Sequence, residues 1–199
     1  MNESKEIFEY GTWFEPKFSA VGKYDDEMDD QQVTQTDLAW LAGIWDGEGH
    51  FSIRRTKLKK SNTPQYSPRL GVTNSNIQIL TKVRQILDAL GIQYYFREKD
   101  QGGFEGSKKQ TWVVAIETMT NAVKLITNIR PYLIGKWFQA DCIVEYCENR
   151  LRFASRKMSN KDRKYSARDY ELVQKVFEAN GDIRGTSETI VQDAQRAMI

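Results

Sequence analysis

The sequence predicts an α+β fold in which four antiparallel strands form one sheet, followed by additional helices at the C-terminus. Two observations predict this fold. A helix–strand–strand order occurs twice between residues 37 and 131 and ends in a third helix, which gives the order αββαββα. Beyond residue 135, apolar side chains recur only at helical spacing, so we expect an all-α part there.

The element boundaries follow from caps, turns and periodicity. Asp37 is placed to cap the first helix, which ends near Asp46, and Asn76 is placed to cap the second, which Gly91 stops. Alternation of apolar and polar residues marks the strands. Strands are predicted over 50–58, 65–73, 94–99 and 109–117, and the later helices over 120–131, 135–151, 166–179 and 186–199.

These elements divide the chain into three parts. Residues 1–36 form an acidic arm that is rich in aromatic residues, and residues 37–134 form the αββαββα core. Residues 135–199 form the C-terminal helical part, which contains a basic loop over 150–168.

Composition excludes several functional classes. With 40% hydrophobic residues in 199, the chain can bury a core, but its longest apolar run has eight residues and a membrane span needs about 20. No signal peptide or targeting segment is evident, so we expect an intracellular protein that contacts no membrane. The two cysteines, Cys142 and Cys147, are expected to be reduced thiols, and a single histidine argues against a His-rich metal site.

Charge is distributed unevenly along the chain. Residues 1–32 carry a net charge of −6 and the rest of the chain carries a net charge of +8. The overall net charge of +2 therefore does not show how basic the rest of the chain is. A basic body suggests a polyanionic partner such as nucleic acid, although many soluble domains are mildly basic.

One face of the predicted sheet is polar. We expect the helices to cover the apolar face of the sheet and to leave the polar face open. Arg, Lys, Gln and Thr side chains on an open face can contact base edges and phosphates in the major groove of DNA. The open alternative is that polar residues simply face water. The candidate DNA-binding residues of the sheet are Arg54, Thr56, Gln65, Ser67, Arg69, Thr73, Arg97, Lys99, Lys109 and Thr111. Candidate phosphate contacts in the basic loop, which could equally be solvated, are Arg156, Lys157 and Lys161.

The small residues of the first helix suggest a helix–helix seam. Ala42, Gly43 and Gly47 lack bulky side chains, so two such helices can approach closely, and the seam could be self-complementary across a twofold axis.

Two carboxylates follow at the end of that helix. Asp46 and Glu48 alternate with glycines, and a twofold axis through the seam would bring one carboxylate from each chain close to the other. Paired carboxylates hold Mg²⁺, which suits phosphodiester hydrolysis. A plain helix end with two surface acids is the open alternative.

The stretch Leu41–Gly49 resembles the signature of the LAGLIDADG homing endonucleases, and the αββαββα order matches their core. Val72–Asn74 resembles the end of the second strand in that family. Pro131–Lys136 resembles the segment that carries a catalytic lysine in the single-motif branch, and Thr186–Ile190 resembles the C-terminal tail of that branch. The signature occurs once.

The resemblance implies roles for individual residues. Glu48 stands at the position of the metal-binding acid, and the backbone carbonyl of Gly47 shares that role. Lys136 would stabilise charge on the phosphate. Asn74 would position water, although it stands where a glutamine is expected. Asp46 would cap the partner helix or order the seam.

The resemblance also implies the activity. A single signature implies a homodimer that cuts a long, near-palindromic DNA site by metal-dependent hydrolysis, leaves 3′ overhangs and serves intron homing. The cofactor would be Mg²⁺; Mn²⁺ can substitute, Ca²⁺ is expected to support binding without cleavage, and no organic cofactor is implied. The alternative is a nucleic-acid-binding protein of this family that has lost cleavage and acts as an RNA maturase or a transcription regulator.

Overall fold

The structure, a computed structural model, describes residues 32–57, 64–98, 110–155, 164–181 and 186–197, which all belong to one compact unit, Gln32–Ile199. Within these ranges, the side chains of 153–155, 186–188 and 196–197 are not described. The predicted acidic arm lies outside the described residues up to position 31, so its boundary stays a prediction.

The described chain contains six α-helices and four strands in the predicted α+β order, which confirms the fold class. The strands are β1 (Gly49–Thr56), β2 (Gln65–Asn74), β3 (Tyr95–Glu98) and β4 (Trp112–Ile116). The helices are α1 (Gln35–Gly47), α2 (Ile77–Ala89), α3 (Met119–Ile129), α4 (Trp137–Ser155), α5 (Ala167–Ala179) and α6 (Thr186–Ala197), with a 3₁₀ turn at Arg130–Tyr132.

The first helix begins earlier than the sequence predicts. Thr34, not Asp37, is its N-cap residue, and Asp37 lies at the third helical position. The Thr34 hydroxyl accepts a hydrogen bond from the Asp37 N–H at 3.1 Å, and the Asp37 carboxylate accepts one from the Thr34 N–H at 3.2 Å. This is a capping box, in which both residues satisfy N–H groups at the helix start. The assignment of Asp37 as the cap is therefore wrong by three residues.

The four strands form one antiparallel sheet in the order β1-β2-β4-β3. On one face, apolar side chains pack beneath the helices: Phe51, Ile53, Leu70, Val72, Val114 and Ile116. The residues between them point to the opposite face, which the described helices leave uncovered. The predicted alternation of a buried and an open face is confirmed.

The C-terminal helices share the core of the sheet. Ile143 and Tyr146 of α4 and Leu172 of α5 belong to the same buried cluster as the strands. The thiols of Cys142 and Cys147 are free and buried within α4. No helix in the described ranges is long and apolar enough to cross a membrane.

Candidate active site at the end of the first helix

Asp46 binds the turn that precedes α4. Its carboxylate accepts hydrogen bonds from the backbone N–H groups of Ile134 at 2.7 Å, Gly135 at 3.1 Å and Lys136 at 2.9 Å. Burial alone would raise the pKa of Asp46, but the three N–H donors and the Lys136 charge outweigh it and lower the pKa. The sequence assigns Asp46 to a seam with a partner helix, whereas these contacts lie within its own chain.

Lys136 reaches back to the end of α1. Its ammonium donates hydrogen bonds to the carbonyl oxygens of Trp45 at 3.0 Å and Gly49 at 2.6 Å. Trp45 belongs to the last turn of α1, and Gly49 follows its C-cap residue, so both carbonyls lie at the negative end of the helix dipole. Burial lowers the pKa of Lys136, and the nearby carboxylates of Asp46 and Glu48 only partly reverse that shift.

The turn between α1 and β1 requires a glycine. A Cβ atom on Gly49 would lie 2.8 Å from the Cα and the carbonyl oxygen of Trp45, which is closer than real Cβ contacts allow. The Gly49 carbonyl also accepts a hydrogen bond from the Lys136 ammonium. The close approach of Gly49 to Trp45 therefore holds the start of β1 and the Lys136 ammonium close to the end of α1.

Glu48 lies at the centre of this arrangement with an exposed side chain. Its backbone N–H continues the helix by donating to the Ile44 carbonyl at 2.9 Å. No described residue donates a hydrogen bond to its carboxylate, in contrast to that of Asp46. Glu48 therefore offers hard oxygen ligands to a divalent cation, and the neighbouring Gly47 is exposed as well. The described residues contain no cluster of three potential metal-ligating side chains.

Asn74 ends β2, as predicted, but its side chain has a structural partner. Its Oδ1 atom accepts a hydrogen bond from the Asn76 N–H at 2.8 Å, and the Asn76 side chain in turn accepts from the Gln78 N–H at 2.9 Å. Asn74 thus shapes the turn into α2. Its role in positioning water stays a prediction.

The small residues of α1 do not share one face. Ala42 is fully buried in the core of its own chain, so its assignment to the seam is wrong. Cβ atoms on Gly43 and Gly47 would meet nothing within 4 Å, and both glycines are exposed. Ala39, which the sequence reasoning missed, lies one helical turn before Gly43 and is exposed too. The open stripe is therefore Ala39, Gly43 and Gly47, at a spacing of four residues.

The open face of the sheet holds the predicted polar residues. The strand register pairs Arg97 with Val113, and Val113 with Thr73. Arg97 of β3 therefore lies on the same face of the sheet as Thr73, which is the open face. Predicted residues found on the open face, or next to its strands with the same alternation, are Arg54, Thr56, Gln65, Ser67, Arg69, Thr73, Arg97 and Thr111. Lys99, Lys109, Arg156, Lys157 and Lys161 lie outside the described residues.

One acid interrupts this basic surface. The Glu117 carboxylate accepts from the Arg54 guanidinium at 3.4 Å, across two strands. Glu117 is the last residue of the predicted strand and directly follows the observed β4, on the same face as Arg54, but the sequence analysis did not single it out because only basic and neutral polar residues were considered there.

Comparison with known proteins identifies the core. Residues 35–130 match the family model described as a LAGLIDADG-like domain. These matched residues, just under half of the chain, resemble that family and are called here the LAGLIDADG-like domain. No curated protein sequence gives a significant match to this chain.

Solved structures share the fold over a longer range than the LAGLIDADG-like domain. The homing endonuclease I-CvuI, in complex with its target, is 16% identical with a TM-score of 0.59, and the match covers 82% of this chain and 95% of that one. The archaeal intron-encoded homing endonuclease I-Vdi141I, complexed with DNA, is 16% identical with a TM-score of 0.59, and the match covers 81% of this chain and 96% of that one. The group I intron-encoded homing endonuclease I-CeuI, complexed with DNA, is 19% identical with a TM-score of 0.57, and the match covers 78% of this chain and 73% of that one. The likeness therefore extends to the C-terminal helices.

The LAGLIDADG-like domain contains only part of the candidate site. Glu48, Gly47, Asn74 and the whole sheet lie inside residues 35–130, whereas Lys136 lies six residues beyond the domain. The two parts are connected by hydrogen bonds that the Asp46 carboxylate accepts from backbone N–H groups in the turn before α4.

Proposed function

We propose that this chain is a site-specific double-strand DNA endonuclease that acts as a homodimer and hydrolyses phosphodiesters with a divalent metal ion. The observation that carries the proposal is the position of Glu48: an exposed carboxylate without a described donor, beside a half-buried ammonium on Lys136. An acid of this kind can hold a metal, and a cation held next to it can stabilise a phosphate.

The open face of the sheet supports DNA as the substrate. Arg54, Arg69 and Arg97 are exposed on three different strands, and Thr and Gln side chains lie between them. Arginine can bind guanine with two hydrogen bonds, and glutamine can do so with adenine. A twisted antiparallel ribbon fits the major groove, so this face can combine base and phosphate contacts.

The metal ligands would be Glu48 and the backbone carbonyl of Gly47. Carboxylate and carbonyl oxygens are the donors that Mg²⁺ and Ca²⁺ prefer, so the residues present fit such an ion. When bound, the ion would supply activation of water and neutralisation of charge on the phosphate. Because one described chain offers a single unpaired carboxylate here, the fit is better when two copies contribute one Glu48 each.

The remaining roles belong to the side chains of this chain. Lys136 would bind a phosphate oxygen and hold positive charge there, since its ammonium is fixed by two carbonyls and points to the helix end that carries Glu48. Asp46 would keep the backbone of Lys136 in place without binding metal, because backbone N–H groups already occupy its oxygens.

A homodimer is supported by the open stripe on α1. Ala39, Gly43 and Gly47 leave backbone accessible along two helical turns, so a second α1 can approach closely. The site of each chain would then lie beside that of its partner at the twofold axis. Two similar structures are named as homing endonucleases in complex with a target or with DNA, one of them in the presence of 2 mM Ca, which supports DNA as the partner.

The test is cleavage of a randomised duplex DNA library in Mg²⁺ and in Ca²⁺, with sequencing of the cut ends. We expect discrete ends with a short 3′ stagger in Mg²⁺, and binding alone in Ca²⁺. Glu48→Gln should abolish cleavage and keep binding. Glu148→Gln is the matched control, since Glu148 is an exposed acid on α4 outside the site.

Three results would count against the proposal. Cleavage by Glu48→Gln at the parent rate would contradict the metal assignment. Cleavage without a divalent ion would contradict the metal dependence. Selective binding of one DNA or RNA without cuts under any metal would favour a binding protein instead.

A further inference from the structure

One ion pair crosses the open face of the sheet, from an edge strand to an inner strand. Arg54 belongs to β1 and Glu117 directly follows β4, and the Arg54 guanidinium donates a hydrogen bond to the Glu117 carboxylate at 3.4 Å. The strand between them is β2, since the sheet order is β1-β2-β4-β3. Arg54 pairs in register with Ser67 of β2, whose short side chain leaves the guanidinium room to cross this strand. The two residues, called here the Arg54–Glu117 pair, therefore extend over β2 along the open face.

Both members of the Arg54–Glu117 pair remain accessible. The side chain of Arg54 is 46% exposed and that of Glu117 is 29% exposed. The hydrogen bond between them uses Nη2 of the guanidinium and Oε2 of the carboxylate. No other described residue hydrogen-bonds to either side chain. A guanidinium has further N–H donors and a carboxylate has a second acceptor oxygen, so the pair can bind a ligand on this face without losing its own contact.

Glu117 is the single acid on the described part of the open face. The other charged residues there are Arg54, Arg69 and Arg97, all of them exposed. A carboxylate repels phosphate, so an acid is unfavourable on a surface that only neutralises the DNA backbone. In the major groove, however, a glutamate can accept a hydrogen bond from the amino group of cytosine. The position of Glu117 therefore favours a base contact over a phosphate contact.

The order of donor and acceptor in the Arg54–Glu117 pair matches one kind of base pair. In the major groove, guanine presents two acceptors, N7 and O6, and its partner cytosine presents the N4 amino donor beside them. Arginine binds the two guanine acceptors together, and glutamate accepts from the cytosine amino group. The donor of Arg54 and the acceptor of Glu117 are 3.4 Å apart, so they can meet the two bases of one pair. An A·T pair offers no two neighbouring acceptors, so it would leave buried donors of the guanidinium unsatisfied.

We propose that the Arg54–Glu117 pair reads one G·C base pair in each half of the DNA target, with Arg54 bound to guanine and Glu117 to cytosine. The proposal rests on the proposed function, since it requires duplex DNA on the open face and a dimer. The carboxylate also holds the guanidinium in its direction before DNA binds, so less side-chain entropy is lost in the complex. The two residues determine specificity as a unit.

The experiment is selection of binding sites from randomised duplex DNA in Ca²⁺, with the full-length parent, Arg54→Ala and Glu117→Gln. We expect the parent to enrich a site with a G·C pair at one fixed position in each half. Both variants should lose that preference at the same position, by roughly tenfold, and keep the rest of the site. Glu117→Gln should bind unrelated DNA as well as the parent or better, since a negative charge near the phosphates is removed. Circular dichroism checks that each variant is folded.

Arg168→Ala and Glu145→Gln are the matched controls. These residues form an exposed ion pair at 2.6 Å that joins α5 to α4, outside the sheet. Each control makes the same chemical change as one of the test variants and also breaks a surface ion pair. Both controls should enrich the same site as the parent.

The outcomes separate the two proposals. If the parent enriches no DNA sequence, the proposed function fails and the inference fails with it. If the parent enriches a site and both test variants enrich the identical site, the inference alone is overturned. Loss of preference at two different positions would also overturn it, because the residues would then act separately. So would a change in affinity spread evenly over all positions, since that result indicates phosphate contacts and not base readout.

Discussion

Asp46 and Lys136 connect the end of α1 and the turn before α4 by hydrogen bonds that run in both directions. The Asp46 carboxylate accepts from the Lys136 N–H at 2.9 Å, while the Lys136 ammonium returns to the Trp45 carbonyl, one residue before Asp46, at 3.0 Å. The last turn of α1 and the first residues before α4 are thereby held together by backbone and side-chain atoms of both partners. This link positions an ammonium next to the Glu48 carboxylate without using that carboxylate.

Replacing Asp46 by Asn should destabilise the fold. The amide oxygen can replace only one of two carboxylate oxygens, and the charge is lost, so we expect a decrease of about 1–3 kcal/mol in the free energy of unfolding at neutral pH. Because the folded-state pKa of Asp46 is lowered, its contribution is present above the ordinary value of 3.8 and is lost as pH falls through the folded value. Urea denaturation at neutral and acidic pH measures both effects.

Asp88→Asn is the control for Asp46→Asn. The Asp88 carboxylate accepts one exposed hydrogen bond from the Tyr94 hydroxyl at 3.0 Å, so its loss should cost no more than about 1 kcal/mol. Equal effects of the two substitutions would contradict the special role of Asp46. A parent-like decrease in stability on acidification in Asp46→Asn would show that other carboxylates account for it.

Cleavage should fall at alkaline pH before an ordinary lysine titrates. Burial lowers the pKa of Lys136 below 10.5, and only the protonated ammonium can bind phosphate, so the rate should decrease as pH rises through that lowered value. Lys136→Met should reduce the single-turnover rate by roughly 10²–10³, as for other charge-stabilising donors. Rates with a saturating duplex target across the pH range test this.

Lys136→Arg sharpens the pH test. A guanidinium stays charged in this range, so the alkaline decrease should disappear even if the rate at neutral pH is lower. An unchanged alkaline decrease in Lys136→Arg would assign it to another group.

The sequence could predict what depends on local periodicity. Alternation placed Arg54 and Arg69 on the open face, because every second residue of a strand points the same way. The burial of Ala42 could not be foreseen from size, since a small residue suits both a close helix contact and a crowded core. The partners of Asp46 lie 88 to 90 residues away in sequence, so only the folded chain reveals them.

Gly43→Leu should disrupt the dimer and leave the chain folded. A Cβ at position 43 meets nothing within 4 Å in its own chain, and leucine favours helix over glycine, so the fold should tolerate it. In a homodimer the added side chain would separate the two α1 helices. Sedimentation should show monomers, and double-strand cleavage should be lost.

Gln85→Leu is the control for Gly43→Leu. Gln85 is exposed on α2, so the same apolar side chain is added to a helix surface outside the seam, and the dimer should persist. A stable dimer of Gly43→Leu would contradict the proposed seam.

Asp193→Ala should destabilise the fold strongly, because the Asp193 carboxylate is 3% exposed and joins α6 to the far end of the sheet. It accepts from the Arg55 guanidinium at 2.7 and 3.0 Å and from the Tyr66 hydroxyl at 2.7 Å. Removing it leaves a partly buried guanidinium and the buried Tyr66 hydroxyl without this partner, so we expect a loss of about 3 kcal/mol in the free energy of unfolding, and faster amide exchange in α6. Arg54→Ala, next in sequence but in an exposed pair with Glu117, should cost about 0.5 kcal/mol. Losses of similar size in the two variants would show that burial of the Asp193 pair does not set its contribution.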